Sequence, residues 1–171
     1  MTLTPRLPAN QNPLHKHEAS SGTAEGGAIV FLTESGTVAK VTTSGQAPYG
    51  ILFTPVKAPL SGLPQNYEFP TELGSITQRP GDPVDIYQEG GIFETSFYRY
   101  IGSSGINAGT LMYAHIGDAS HNGKLVNDDG STVSVADDGD GSTAKAVAEV
   151  IEPLSHKEAD ANKPLAVKLL I

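Results

Sequence analysis

The sequence predicts an all-β (mainly β) protein: a compact β-barrel or β-sandwich-like domain with an extended N-terminal arm. Glycine and proline are both enriched, with 19 and 12 residues among 171, which favours many turns and few long helices. Short apolar or alternating runs recur along the chain between turn residues, as expected for strands. The length suits one domain, or one domain with an ordered appendage.

The N-terminal segment differs from the rest of the chain. We assign residues 1–26 to the arm and residues 27–171 to the β domain. Three prolines within the first 13 residues favour extended backbone, and neither helical nor strand periodicity is present. Leu3, Leu7 and Leu14 supply apolar anchors, so this arm either docks on a partner or forms a disordered tail.

Within the β domain, turns rich in Gly, Asn and Asp separate the candidate strands. We expect strands at 28–33, 37–42, 49–54, 84–88, 92–101, 110–114, 132–135 and 165–171. Ala, Lys and Glu in the stretch 144–151 favour a helix, but its flanking β context favours a strand. Residues 55–83 are rich in Pro and Gly and read as a long irregular loop.

Charge and composition exclude several classes of partner. The formal net charge is −8, which argues against direct binding to nucleic acid or to an anionic membrane surface. No apolar stretch is long enough to span a bilayer. The chain has no cysteine, which excludes disulfides and thiolate metal sites and fits assembly in the cytosol. No cofactor is expected.

Three groups of residues could carry chemistry, and each has a simpler explanation. His15 and His17 could face one metal ion from an extended chain, but no further ligands are suitably spaced, which favours a solvated segment. Residues 137–141 lack the alternating ligands and closing Glu of a calcium loop. Ser, His and Asp are present, but no Gly-x-Ser-x-Gly elbow occurs, and polar loops hold the remaining histidines, His115, His121 and His156. We therefore predict no catalytic or metal site.

The densest aromatic cluster lies in the predicted strand 92–101. Phe93 and Phe97 share one face and suit a packed core. Tyr98 and Tyr100, with Arg99 between them, are candidates for an oligomer or partner interface, because Tyr and Arg are favoured at buried contacts. Packing in the core or at its rim is the simpler role for any one of the three.

Two stretches of the chain, 25–52 and 107–151, share one pattern. Each reads as a turn glycine, a strand, a Gly-x-apolar strand, a turn and a further apolar strand. Two copies of such a unit could form the two halves of a barrel or sandwich. A glycine-rich β protein can also show such a similarity by chance.

The order of these features resembles that of the small capsid decoration proteins of tailed bacteriophages, also called cement proteins. The resemblance covers most of the chain beyond the arm. It is carried by turn glycines, by apolar strands and by short Gly- and Pro-containing motifs, namely 27–32, Gly36, Val38, Val41, Pro48, 50–52, Gly81, Val84, Ile86, Gly90, 108–111 and 165–171.

The resemblance implies a non-enzymatic structural protein on the outside of a virion, assembled in the host cytoplasm. It would bridge neighbouring major capsid protein subunits and associate with copies of itself, as a homotrimer in preference to a homodimer. The capsid contacts would come from the arm, at Leu3, Arg6, Leu7 and Leu14. The alternatives are a carbohydrate- or receptor-binding β module of a phage fibre or tail, with surface tyrosines stacking on sugars, and a hydrolase.

Overall fold

The computed structural model describes residues 3–5, 17–20, 24–56, 81–140 and 143–171, and its architecture is nearly all β, as predicted. Six strands form a nearly closed, barrel-like sheet, and a second sheet lies beside it. The strands are β1 (Leu3–Pro5), β2 (Ile29–Leu32), β3 (Val38–Lys40), β4 (Gly50–Leu52), β5 (Ile86–Tyr87), β6 (Ile92–Thr95), β7 (Tyr98–Arg99), β8 (Leu111–Ala114), β9 (Leu125–Val126), β10 (Ala146–Val150) and β11 (Leu165–Leu169).

One bent segment supplies both edges of the barrel. The strand order is β6-β11-β10-β8-β9-β7, and β1 pairs with the other side of β6. Only Ser96 and Phe97 separate β6 from β7, and the Phe97 carbonyl accepts a hydrogen bond of 3.2 Å from the amide of Leu125. The prediction of a single strand across 92–101 was wrong at this corner. The chain turns there because β6 pairs antiparallel with β11, whereas β7 pairs parallel with β9.

The barrel interior is filled by side chains. Phe93, Met112, Leu125, Leu165 and Leu169 all have no exposed surface, and each such side chain contributes roughly 1.5–3 kcal/mol through burial. The buried face predicted for the last strand is confirmed at residues 165, 167 and 169; on the opposite face residue 168 is exposed but Ala166 is buried as well. The stretch 144–151 also forms the expected strand, as β10.

The second sheet has the order β3-β2-β4-β5 and a core of its own. Residues 17–20 connect its two edges, because they pair both with β3 and with the segment that precedes β5. Ala19 and its neighbours pair antiparallel with residues 81–84 and parallel with Val38. The buried side chains of this unit are small and mostly β-branched, namely Ala19, Val30, Val38, Leu52, Val56, Val84 and Ile86.

The described parts of the predicted arm are extended, but they pair with the domain itself. β1 extends the barrel sheet at β6. Residues 17–20 and Ala24 belong to the second sheet, where Ala24 pairs with Val56. The long loop predicted at 55–83 is described only at its two ends, and residues 57–80 lie outside the described part of the chain.

Two local expectations differ from the structure. A helix, α1 (His156–Asp160), begins at a capping box formed by Ser155 and Glu158, a Ser-x-x-Glu signal that the sequence contains. Of the strand predicted at 132–135 only Val135 pairs, in an isolated antiparallel bridge to His115, because the Asp128 carboxylate accepts hydrogen bonds from the amides of residues 130, 132 and 133 and holds a turn. Across the described ranges, no helix has the length and apolarity needed to cross a membrane.

Candidate functional site

Of the arm residues predicted to contact a partner, the structure describes only Leu3. Its side chain is 3% exposed and joins the barrel core. The side chain of Leu3 is therefore not available to a partner while β1 is docked, which corrects the expectation that it contacts a capsid. Arg6, Leu7 and Leu14 lie outside the described residues.

Tyr98 serves the core and not an outer surface. Its ring is 4% exposed, and its hydroxyl donates hydrogen bonds to the carbonyls of Lys163 at 2.8 Å and Ala159 at 3.4 Å. Burial raises the pKa of Tyr98 to about 12. The expectation that Tyr98 lies at an interface is corrected: β7 directs this side chain inward, where it anchors the end of α1 to the barrel.

Tyr100 is half-buried at the rim of the barrel core. Its hydroxyl accepts a hydrogen bond of 2.8 Å from the Gly105 amide and lies 3.1 Å from Nδ1 of His156. Both partners hold the ring against the loop 101–105 and the start of α1. A sugar-stacking tyrosine needs an open ring face, and the contacts of Tyr98 and Tyr100 give the carbohydrate-binding alternative no specific support.

Arg99, unlike Tyr98, is partly exposed to solvent and has polar side chains around it. Its Nη1 donates a hydrogen bond of 2.8 Å to Nε2 of His115. An arginine has only donors, so His115 must be neutral and carry its proton on Nδ1. Burial, followed by the Arg99 charge, holds the pKa of His115 below its usual value.

Asp118 organises the turn beside this pair. Its carboxylate accepts hydrogen bonds from the Ser120 amide and hydroxyl and lies 2.6 Å from Nδ1 of His121. The hydrogen bond from Ser120, followed by the one from His121, holds the pKa of Asp118 far below its usual range. The distance from Asp118 Oδ2 to Arg99 Nη1 is 3.9 Å, which is too long for a hydrogen bond.

The Asp118, Ser120 and His121 side chains do not have the geometry of a hydrolytic triad. In a triad the serine and the carboxylate bind opposite nitrogens of the imidazole. Here both contact Nδ1, with the Ser120 hydroxyl at 3.3 Å. The arrangement stabilises a turn, and the His121 imidazole cannot accept the serine proton at the nitrogen opposite the carboxylate, as a triad histidine does.

Lys124 adds a third basic group to this surface. Its ammonium lies 5.4 Å from the centroid of the Phe97 ring, a cation–π distance. The side chains of Arg99 and His121 are 31% and 32% exposed. Together with Asp118, whose side chain is 41% exposed, these residues make a polar surface of mixed charge. The sequence singled out Arg99, but only the pairing of β7 with β9 reveals its neighbours.

The metal and calcium possibilities raised by the sequence gain no support from the described residues. Both ring nitrogens of His17 are engaged, Nδ1 with the Gly36 carbonyl and Nε2 with the Tyr49 hydroxyl, each at 2.9 Å. Asp137 binds the amides of Gly45 and Gly139. Within the described ranges no cluster of three or more His, Cys, Asp or Glu residues could hold a metal ion. His15 lies outside those ranges.

Two concave regions lie at the second sheet. A cavity of about 300 Å³ has mainly apolar walls that include Val30, Val38, Leu52 and Val56. An open groove of about 550 Å³ runs beside the β2–β3 hairpin and the side chain of Lys145. The walls of this groove also include Glu34 and Tyr49.

The comparisons with known proteins leave the chain without an assigned family. No family model matches this sequence, and the search of the curated proteins also gives no match.

Proposed function

We propose that this chain is a structural protein that binds the outer surface of a tailed-phage capsid and bridges neighbouring major capsid protein subunits. The observation that carries the proposal is the packed barrel. Its interior is filled by Phe93, Met112, Leu125 and other buried side chains, so the barrel core has no room for a ligand. Interactions of the barrel must therefore use its outer surfaces, as a decoration protein does.

Two further features support the proposal. The order of glycines and apolar strands in the sequence resembles that of capsid decoration proteins, and those runs lie in the nearly closed barrel-like sheet and in the second sheet. The net charge of −8 favours a basic or neutral partner surface.

Stabilisation would follow from linkage. A protein that binds the assembled shell, and not its dissociated subunits, lowers the free energy of the assembled state. Many symmetrically placed copies, contacting neighbouring subunits and one another, would provide avidity that a single weak contact lacks. This mechanism calls for no cofactor and no catalytic residue.

Co-sedimentation with capsids tests the proposal. Expanded shells, assembled from the major capsid protein of the same genome, should carry the full-length chain to the pellet, while unexpanded shells should carry less. The bound shells should also withstand a higher temperature before they release their contents. Failure of the full-length chain to bind expanded shells would contradict the proposal.

A further inference from the structure

The outer face of the barrel carries a row of side chains with a symmetric pattern. The strand registers place Leu111 beside Glu149, Glu149 beside Lys168, and Lys168 beside Ile92. Directly paired residues point to the same side of a sheet. Their sequence neighbours Met112, Ala148, Leu169 and Phe93 are fully buried, so this row faces outward. Across the four adjacent strands β8, β10, β11 and β6, the row consists of an apolar, an acidic, a basic and an apolar residue.

The two charged residues at the centre of the row form no ion pair with each other or with the rest of the described chain. Glu149 and Lys168 are directly opposed across β10 and β11, yet no ion pair or hydrogen bond joins either side chain to another described residue. Both ionic groups are therefore free to meet charges from another molecule.

The same face is unusually apolar for a solvated surface. Three large apolar side chains among the described residues are strongly exposed, and two of them, Leu111 at 43% and Leu170 at 36%, lie here. Leu170 is two residues beyond Lys168 and so points to the same side. Exposed apolar groups that flank a charged pair are typical of a contact surface.

The pattern is its own complement under a two-fold rotation. When two copies face each other about an axis parallel to the strands, between β10 and β11, Glu149 of each copy meets Lys168 of the other. Leu111 then meets Ile92. Two further rows flank this one, with Leu170 on one side and Glu94, which pairs with Ala166, on the other, and no like charges face each other in the central row.

We propose that this face, defined by Ile92, Leu111, Glu149, Lys168 and Leu170, binds the same face of a second copy of the chain about a two-fold axis. A two-fold interface requires one surface patch to complement itself, and charge complementarity across β10 and β11 supplies that condition. The outside of a barrel is convex, so the contact between two copies is small and the association is weak. Dimers therefore form where the local concentration of the protein is high.

The inference rests on the proposed function in one respect, because decoration of a shell would bring copies together. It specifies a two-fold pair where the sequence resemblance favours a trimer. Its test uses the full chain in solution without capsids, so self-association can fail while capsid binding stands, and the reverse.

Sedimentation equilibrium over a concentration series measures the association. The wild-type chain should show a monomer–dimer equilibrium. Glu149→Lys and Lys168→Glu should each raise the dissociation constant at least about tenfold, because each places two like-charged pairs in the contact. The double variant, which exchanges the charges, should restore dimers. Leu111→Asp should also dissociate them.

Matched controls reverse exposed charges away from this face, as in Glu34→Lys and Lys157→Glu, and should leave the equilibrium unchanged. Circular dichroism checks that every variant is folded. A wild-type chain that stays monomeric at millimolar concentration overturns the inference. So does a trimer that survives both single charge reversals, or a double variant no better than the single ones.

Discussion

The Arg99 guanidinium donates a hydrogen bond of 2.8 Å to Nε2 of His115, a side chain that is only 2% exposed. His115 also holds the barrel together through its backbone, because its amide donates to the Lys124 carbonyl and its carbonyl accepts from the Gly123 amide. Gly123 in turn accepts a hydrogen bond from Ile29 at the start of the second sheet. The ring therefore lies where the two sheets meet.

His115 should make the protein less stable in mild acid. Burial, followed by the Arg99 charge and the neighbouring basic groups His121 and Lys124, lowers its pKa below 6.5, against the opposing charge of Asp118. Between the two pKa values the imidazole of His115 binds a proton in the unfolded chain but not in the folded chain. Stability is fully present above pH 6.5 and is lost as the pH falls from there towards the lowered pKa.

A His115→Gln variant isolates this effect, because the glutamine amide can accept from Arg99 but does not titrate. Urea denaturation at pH 7.5 and pH 5 should show a larger loss in the free energy of unfolding for the wild type than for the variant. Equal pH dependence in the two proteins would contradict the assignment of this effect to His115.

Gly27 and Gly36 form a matched pair for substitution by alanine. Both have positive φ, 92° and 81°, where a side chain costs about 1 kcal/mol. A Cβ at Gly27 would lie 2.9 Å from Phe97 Cβ and Thr95 Oγ1, whereas one at Gly36 meets nothing within 4 Å.

Gly27→Ala should therefore lower the free energy of unfolding by about 2–4 kcal/mol, the strain plus the cost of overpacking the barrel corner. Gly36→Ala should cost only about 1 kcal/mol. Urea denaturation of the two variants measures the difference. Equal losses would mean that Gly27 does not lie against Phe97 and Thr95 as the structure places it.

Tyr98→Phe tests the attachment of α1 to the barrel. Loss of the hydroxyl removes the hydrogen bonds to the carbonyls of Lys163 and Ala159 and should cost about 1–2 kcal/mol. Spectrophotometric titration should also lose the tyrosine with a pKa of about 12. Tyr113→Phe is the control, since that ring is half-buried with no hydrogen bond to its hydroxyl among the described residues, and it should change stability by less than about 0.5 kcal/mol.

Leu3→Ala tests the docking of β1. Truncation of this buried side chain should lower the free energy of unfolding by about 2–3 kcal/mol if β1 unfolds together with the barrel. The exposed Leu32, at 40%, provides the control, and its replacement by alanine should be nearly neutral. A similar small effect at both positions would show that β1 leaves the barrel at little cost, as a strand that can be released to a partner would.

The strand positions were largely predictable because they depend on local patterns. Alternation of apolar residues predicted the last strand. Turn glycines such as Gly36 predicted the turns, in that case the hairpin between β2 and β3. The misses have local causes too. The Asp128 carboxylate accepts hydrogen bonds from backbone amides that would otherwise pair with a neighbouring strand. The Ser155–Glu158 capping box begins a helix of only five residues.

The candidate site was less predictable, because it depends on pairing between distant segments. Tyr98 and Arg99 are neighbours in sequence, but one is buried in the barrel and the other meets His115. Which of them faces solvent follows from the corner at Ser96 and Phe97 and from the parallel pairing of β7 with β9. No periodicity within the segment 92–101 contains that information.

The sequence by itself determined the all-β class, most of the strands, the acidic charge and the absence of thiol chemistry, since these follow from composition and from side-chain alternation within short segments. The tertiary structure alone decided that β6 and β7 close one barrel, that residues 17–20 close a second sheet, and that Glu149 lies beside Lys168. Strand register is a relation between segments far apart in the chain, and it is set by which apolar faces can be buried together.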